Sequence, residues 1–444
     1  MLTPNSIINK LFKYYLILFG VFFIIGWYYF PPFHNAFLQI LYCLLGYVIC
    51  KNNMKLSVGG CVFSIFAFQL MCISLTAVIN WEFYNDILGF DPQDALFYRE
   101  CGEDFGDKSY ILFFVWLYAI FPTIDDWGFP TIVWSLYHIF GTWGNVMLLL
   151  LNALAVAWGS YRLYGLSQYF VSKQQAKLIA SIWGIMPYSV VVAAGGTKEN
   201  FFGLIVIVFF YYLYRLYYHG GAGNILMVVL SAFGIFLFRL ANGYAAIICI
   251  LIISLIKKRF VIVHFKGLVV FGVIVSVIVF PLVLSLLIEQ RGFDSDIFSS
   301  GNAAKAEEVG GTIGFIVNFI SSLIGPIPCM ISSDVDKLQH LTRYSFVPFI
   351  KILTSFFFYY ALLSVYKRKR VIFMPLIIFV IINILMITVS FFGLHVKFQW
   401  PHMPIFILIT FWGYIEYCKN HVKIAYYRIY IVAAMGLIFL YNIR

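Results

Sequence analysis

The chain of 444 residues is 62% hydrophobic and 20% aromatic, with only 11% charged residues, where soluble domains carry about 25%. So few charges cannot cover a water-facing surface, and the composition excludes a soluble globular protein. The formal net charge of +11 would suggest nucleic acid in a soluble chain, but here the basic residues fall in short connections between apolar runs, which signals membrane topology and no nucleic-acid partner.

Apolar runs of about twenty residues, the length that crosses a hydrocarbon core, recur from end to end. The first, "YYLILFGVFFIIGWYYFPPFHN", lacks a small-residue cleavage site and is expected to be a retained span. In chain order the predicted spans are 14–30, 36–50, 57–80, 146–164, 177–196, 200–217, 224–240, 243–256, 266–288, 345–366, 371–391, 403–418 and 427–442, about thirteen in all. The predicted fold is all-α, a polytopic transmembrane helical bundle forming a single integral membrane domain over 1–444. A first outer loop region, 81–145, holds the apolar segment 110–122, which is short for a span and is expected to be interfacial or re-entrant. A second, 289–344, begins polar, "EQRGFDSDIFSSGNAAKAEEVGG", and continues into the apolar "IGFIVNFISSLIGPIPCMISS", expected to be another half-buried element.

With the N-terminus cytoplasmic, nineteen of the thirty basic residues lie on the inner side, as the positive-inside rule requires. Eighteen of the nineteen acids lie on the outer side, Glu416 alone falling inside. Acids contribute little to orientation, so this asymmetry implies that the outer face needs carboxylates for chemistry. Seven of them crowd into "NDILGFDPQDALFYRECGEDFGDKS", 85–109. Of the eight cysteines, six fall in spans as ordinary small hydrophobes. Cys101 and Cys329 face a compartment that permits disulfides, but spacing alone does not pair them and free thiols are expected.

No phosphate-binding loop, dinucleotide fingerprint, zinc-protease or nucleophile-elbow motif occurs, and the eight histidines lack metal spacing. What remains are charged residues at the outer ends of spans, where charge is expensive and marks function. Asp91 and Asp94 in "GFDPQDALFY" are candidate catalytic carboxylates, against the alternative of a helix cap before Pro92. In "GGTKENFF", Lys198 and Glu199 open a span. A lone lysine there opposes the helix dipole unless an anion is present, whether a phosphate or the neighbouring Glu199. Arg239 in "FLFRLANGYAA" suits bidentate phosphate binding, with snorkelling as the alternative. His395 and Lys397, with His402, form a basic and aromatic group in "FFGLHVKFQWPHMPIF", which an aromatic belt would also explain. Carboxylates able to act as a base stand beside cations able to hold phosphate. They suit an anionic lipid-linked donor and a hydroxyl acceptor meeting at the outer boundary.

An aspartate four residues before a tyrosine in the first outer region, "DALFY" (94–98), resembles the GT-C superfamily of polyprenyl-phosphate-dependent membrane glycosyltransferases. "HIFGTWGNVMLLLLNALAVAWGSYRLYGLS" (138–167), "IWGIMPYSVVVAAGGTKENFF" (182–202) and "FRLANGYAA" (238–246) follow in order. "HVKFQWPHMPIFIL" (395–408) is similar to that superfamily's closing Arg-Tyr-x-x-Pro-x-x-Pro segment, with Lys397 and Phe398 substituted. "IVNFISSLIGPIPCMIS" (316–332) is similar to relatives in bacterial surface-polysaccharide clusters, some of them O-antigen polymerases. The chain departs from the pattern in having three spans before the catalytic loop where one is usual, and Ala95 where an acid often follows the aspartate.

The resemblance implies an inverting glycosyltransferase in a bacterial inner membrane. Its donor is a polyprenyl-linked sugar and its acceptor a glycan or lipid-linked hydroxyl, among membrane lipids. Asp94 would be the base, Asp91 would orient it or hold a divalent cation, and Tyr98 would line the acceptor site. Lys198, Glu199, Arg239, His395 and Lys397 would bind substrate. No other cofactor is implied. The alternatives are an O-antigen or capsule repeat-unit polymerase and, in another class, a lipid-linked oligosaccharide flippase or transporter.

Overall fold

Backbone polar groups have no water to bond in a hydrocarbon core, so a crossing segment must satisfy them within itself, as a helix does. A computed structural model describes residues 34–88, 94–121, 126–257, 319–325, 346–389 and 396–443, with Asn9 and Lys13. Among these there is helix and no strand. In chain order the helices are α1 His34–Asn53, α2 Val58–Tyr84, α3 Asp94–Phe105, α4 Tyr110–Ile120, α5 Gly128–Phe140, α6 Gly144–Ser167, α7 Lys173–Gly184 and α8 Pro187–Ala194. They continue as α9 Glu199–His219, α10 Ala222–Phe238, α11 Leu240–Lys257, α12 Phe346–Arg368, α13 Met374–Val389, α14 Val396–Gln399, α15 Met403–Lys419 and α16 Ile424–Ile443.

Every predicted span between 36 and 256, and between 345 and 442, overlaps one of these helices. The spans predicted at 14–30 and 266–288 lie outside the described residues, as does the second outer region apart from 319–325, where 319–324 are helical. Among the described residues six helical stretches are long and apolar enough to cross a membrane, including Val58–Glu82, Glu199–His219 and Val371–Thr388. The chain is a helical membrane protein. Its outward surface agrees, with Phe63 at 71%, Ile111 at 76% and Val432 at 72% exposed, a load of bare apolar surface that suits lipid and not water.

Two expectations are refined. The span predicted at 177–196 is broken into α7 and α8, because Pro187 has no N–H to continue the ladder and instead opens α8. The segment expected to be interfacial, 110–122, is the 11-residue helix α4, about 16 Å long and too short to cross. Nor is α5 the start of α6. Gly141, at φ +56, turns the chain so that Tyr137 folds back against Gly144, and α5 packs on both α3 and α6.

The long helices pack in pairs, α9 on α10, α10 on α11 and α11 on α13 running in opposite directions, and α6 on α9 and α12 on α15 running in the same direction. The last pair approaches most closely at Gly413, where a Cβ would stand 2.1 Å from the carbonyl oxygen of Phe357. Small residues let membrane helices meet where lipid offers no hydrophobic drive. Gly413→Leu should therefore force α12 and α15 apart and cost about 1–3 kcal/mol or more. Thermal unfolding of the purified protein in detergent checks this, against Gly436→Leu, where the added side chain meets open space.

The bundle has two chemically different ends. At one, Lys177 donates to the carbonyls of Met54 and Leu56 at 3.2 and 2.7 Å, and Arg368 meets buried Glu416 at 2.5 Å. Lys51, Lys55, Lys173, Lys257, Lys367, Lys369, Arg370, Lys419 and Lys423 belong to this basic end, through the helix termini and turns that carry them. Glu416 is the one described acid there. The acidic end carries α3 to α5, the turn 195–198, the α10–α11 junction and 396–402. The charge partition read along the sequence thus corresponds to opposite ends of one bundle.

Candidate functional site

The acidic stretch 85–109 becomes a helical platform. Arg99 on α3 pairs with Asp86 and reaches Glu103 at 3.9 Å. Trp134 and His138 of α5 bind the carbonyls of Phe105 and Gly106 at 2.6 and 2.7 Å, fastening α3 to α5. Glu100, Glu103, Asp104 and Asp107 are exposed, as expected for solvated charge. Cys101 is a free, buried thiol, and burial pushes it up to about 12, which disfavours the reactive thiolate. Its sequence counterpart Cys329 lies outside the described residues.

Asp94 is the first residue of α3, one helical turn before Tyr98, so the two share a face of the helix. Asp91 and His395 lie outside the described residues, as does Asp125. Tyr98 is buried, its ring edge-on to Phe129 at 4.8 Å. The ammonium of Lys198 stands 6.0 Å from the centre of that ring, within cation–π range. The α3 platform and the turn before α9 therefore meet at Tyr98 and Lys198.

The sequence left open whether Lys198 pairs with Glu199 or with an anion. In the structure Lys198 pairs with Asp126, a residue at φ +68 just before α5. A lysine capping the start of α9 opposes the helix dipole, and Asp126 supplies the negative charge that position needs. Glu199 is paired elsewhere. It is 2% exposed, and one of its oxygens lies 3.9 Å from the guanidinium of Arg239. Its other oxygen, Oε2, is buried without a hydrogen-bond partner.

Arg239 occupies the break between α10 and α11, its own carbonyl accepting from the amides of Asn242 and Gly243 at 3.1 and 3.2 Å. Its guanidinium lies 4.8 Å from the ring of Phe398 and 5.6 Å from that of Phe202. Both rings are within cation–π range of the guanidinium. Lys397 lies next to Phe398 in the sequence and 5.6 Å from its ring centre. Arg239, Glu199, Phe398 and Lys397 thus form one group, and Lys198, Asp126 and Tyr98 a second, joined through the Lys198–Glu199 step of the chain. Among the described residues no three His, Cys, Asp or Glu side chains gather as a metal site.

Two residues of this end, Lys351 and Gln399, carry chemistry beyond those singled out above, and both meet around His402. Lys351, on α12, is 1% exposed and donates to Gln399 Oε1, to the carbonyl of Ser322 at 3.4 Å and to Nε2 of His402 at 3.4 Å. His402, fully buried in the turn ahead of α15, feels burial first and then the charges of Lys351 and Arg239, which push its imidazole well below the usual histidine range. It is neutral. The signal for Lys351 is present in the sequence, a lone lysine in the apolar run "FVPFIKILTSFFF", where intramembrane charge marks function. Gln399 carries no such signal. Deeper in the bundle Asn242 donates to Asn383 at 2.7 Å, an interhelical bond that ties α11 to α13 beneath Arg239.

Comparison of the chain with family models, with curated proteins and with solved structures finds no match.

Proposed function

We propose that this chain is an integral membrane glycosyltransferase of about thirteen crossings. It moves a sugar or glycan from a polyprenyl-phosphate or polyprenyl-diphosphate donor to an acceptor hydroxyl, in assembly of a cell-surface polysaccharide. The acidic end works on the extracytoplasmic side of a bacterial inner membrane, with the N-terminus cytoplasmic. The observation that supports this reading most is the convergence of Lys198, Arg239, Lys351 and Lys397 on the end of the bundle that also carries the α3 carboxylates. Phosphate needs the cations and a hydroxyl nucleophile needs a carboxylate.

In this mechanism Asp94 accepts the proton of the acceptor hydroxyl as its oxygen bonds to the anomeric carbon. The bond from that carbon to the lipid phosphate breaks on the opposite side, the phosphate leaves with the electron pair, and the configuration inverts. Arg239 stabilises the charge that develops on the departing phosphate, and Glu199 Oε2 accepts a hydroxyl of the sugar. The ammonium of Lys198, already matched by Asp126, acts at longer range. Tyr98 supports that ammonium from below and borders the acceptor.

The test is the size of the lipid-linked glycans extracted from a strain lacking this chain. A glycan shortened by its terminal sugar is the expected result. Accumulated intact single repeats would replace the reading by a repeat-unit polymerase, and complete glycans held on the cytoplasmic face would replace it by a flippase.

A further inference from the structure

The Lys351 amine is buried among neutral groups. Its three donors are matched by Gln399 Oε1, the Ser322 carbonyl and Nε2 of His402, and no carboxylate among the described residues pairs with it. As an ammonium Lys351 can only donate, which makes Nε2 of His402 the acceptor and puts the imidazole proton on Nδ1. That Nδ1 is buried and has no hydrogen-bond partner among the described residues, a costly state for a donor unless something arrives to accept. The charge of Lys351 polarises the ring towards Nδ1, which makes its N–H a stronger donor. Arg239 is close enough to act on the same imidazole, and its guanidinium reaches its only ionic partner among the described residues at 3.9 Å, beyond hydrogen-bond range. With Lys351 as an ammonium, Arg239 and Lys351 carry two positive charges, and among the described residues Glu199 is the one carboxylate that faces them.

We propose that His402 Nδ1–H, oriented by Lys351, is a binding donor for a phosphate oxyanion that completes the charge of the Arg239–Glu199–Lys351 group. This deepens the glycosyltransferase reading, on which the identification of the oxyanion as phosphate rests. A singly charged phosphodiester, as in a lipid-linked sugar phosphate, balances the group. Lys351 is a positioning residue, because its own protons are engaged by Gln399, Ser322 and His402.

The test uses the full-length protein in nanodiscs, labelled with 15N at histidine, and measures binding of a polyprenyl monophosphate, of the uncharged polyprenol and of inorganic phosphate. Wild-type protein should show the Nδ1–H tautomer for His402, and the polyprenyl phosphate should shift that resonance while the polyprenol does not. His402→Phe should weaken phosphate binding about tenfold or more, as loss of a charge-assisted hydrogen bond would. His402→Asn, which keeps an N–H donor, should recover part of the loss. Lys351→Met should weaken binding and also move the histidine to a mixed tautomer, which a merely structural lysine would not do.

An Nε2–H tautomer in the wild type overturns the proposal. So does unchanged phosphate affinity in inserted, monodisperse Lys351→Met and His402→Phe proteins, and in that case lipid-phosphate binding itself leaves the glycosyltransferase reading standing. Binding of inorganic phosphate alone, dependent on His402, supports the oxyanion site and identifies free phosphate as its source, while removing the lipid-donor reading. Should His402→Phe fail to insert, Lys351→Met and the tautomer decide. Binding of neither phosphate overturns both.

Discussion

Asp94→Asn is expected to lower the rate of glycosyl transfer by about a hundredfold or more. The substitution keeps the shape of the side chain and removes its basicity. Asp94 opens α3 one turn before Tyr98, and Tyr98 meets Lys198, so the start of α3 lies close to where the acidic platform joins the cationic end of the bundle. Asp104→Asn is the control. Asp104 lies on the same helix but is exposed to solvent, and its variant should work at close to the wild-type rate. The comparison is made on initial rates with protein whose insertion and monodispersity match the wild type. Unchanged turnover in Asp94→Asn would remove it as the base. Glu199 would then be the next carboxylate to test, being buried with one oxygen unsatisfied.

Arg239→Ala is expected to reduce transfer by on the order of a hundredfold, with a much smaller effect from Lys198→Ala. The difference follows from their partners. Lys198 is already paired with Asp126, so an incoming phosphate gains little from it, and removing it leaves a partly exposed carboxylate that water can solvate. Arg239 contacts its carboxylate only at 3.9 Å and has the rings of Phe202 and Phe398 within cation–π range, which leaves its N–H donors for a ligand. Arg239→Lys should not rescue, because an ammonium neither stacks on rings such as those of Phe202 and Phe398 nor offers two parallel donors. Steady-state kinetics on donor concentration check the ranking. Equal losses from Lys198→Ala and Arg239→Ala would contradict it.

The helices were legible because length and hydropathy decide them, and their order with short turns makes neighbours antiparallel. The break at Pro187 was harder to read, since the apolar run continues through it and the packing of α7 and α8 keeps both halves in one buried crossing. At the site, the residues with an unusual setting in the sequence, Lys198, Glu199 and Arg239, do gather at one end. Their pairing was not readable. Asp126 and Lys198 are 72 positions apart, and only the meeting of α5 with the start of α9 brings them into contact. The adjacent Glu199, an obvious partner on spacing alone, turns instead to the α10–α11 break. Lys351 was legible as a lone charge in a span, but nothing in the sequence says that its partners are Gln399, His402 and a carbonyl near 322. Contacts among elements distant in the chain are set by packing, which spacing does not encode.

Release of polyprenyl phosphate tests the proposed chemistry most directly. Lipid extract from cells lacking this chain, which holds the unused donor, is incubated with the purified full-length protein in nanodiscs and with Asp94→Asn as the inactive comparison. Wild-type protein is expected to convert the sugar-bearing lipid to free polyprenyl phosphate or diphosphate while an acceptor glycan grows, and Asp94→Asn is expected to leave the donor intact. A donor that stays intact with wild-type protein, while in sealed vesicles the same lipid-linked glycan moves to the opposite face of the bilayer, would contradict glycosyl transfer and make the chain a flippase.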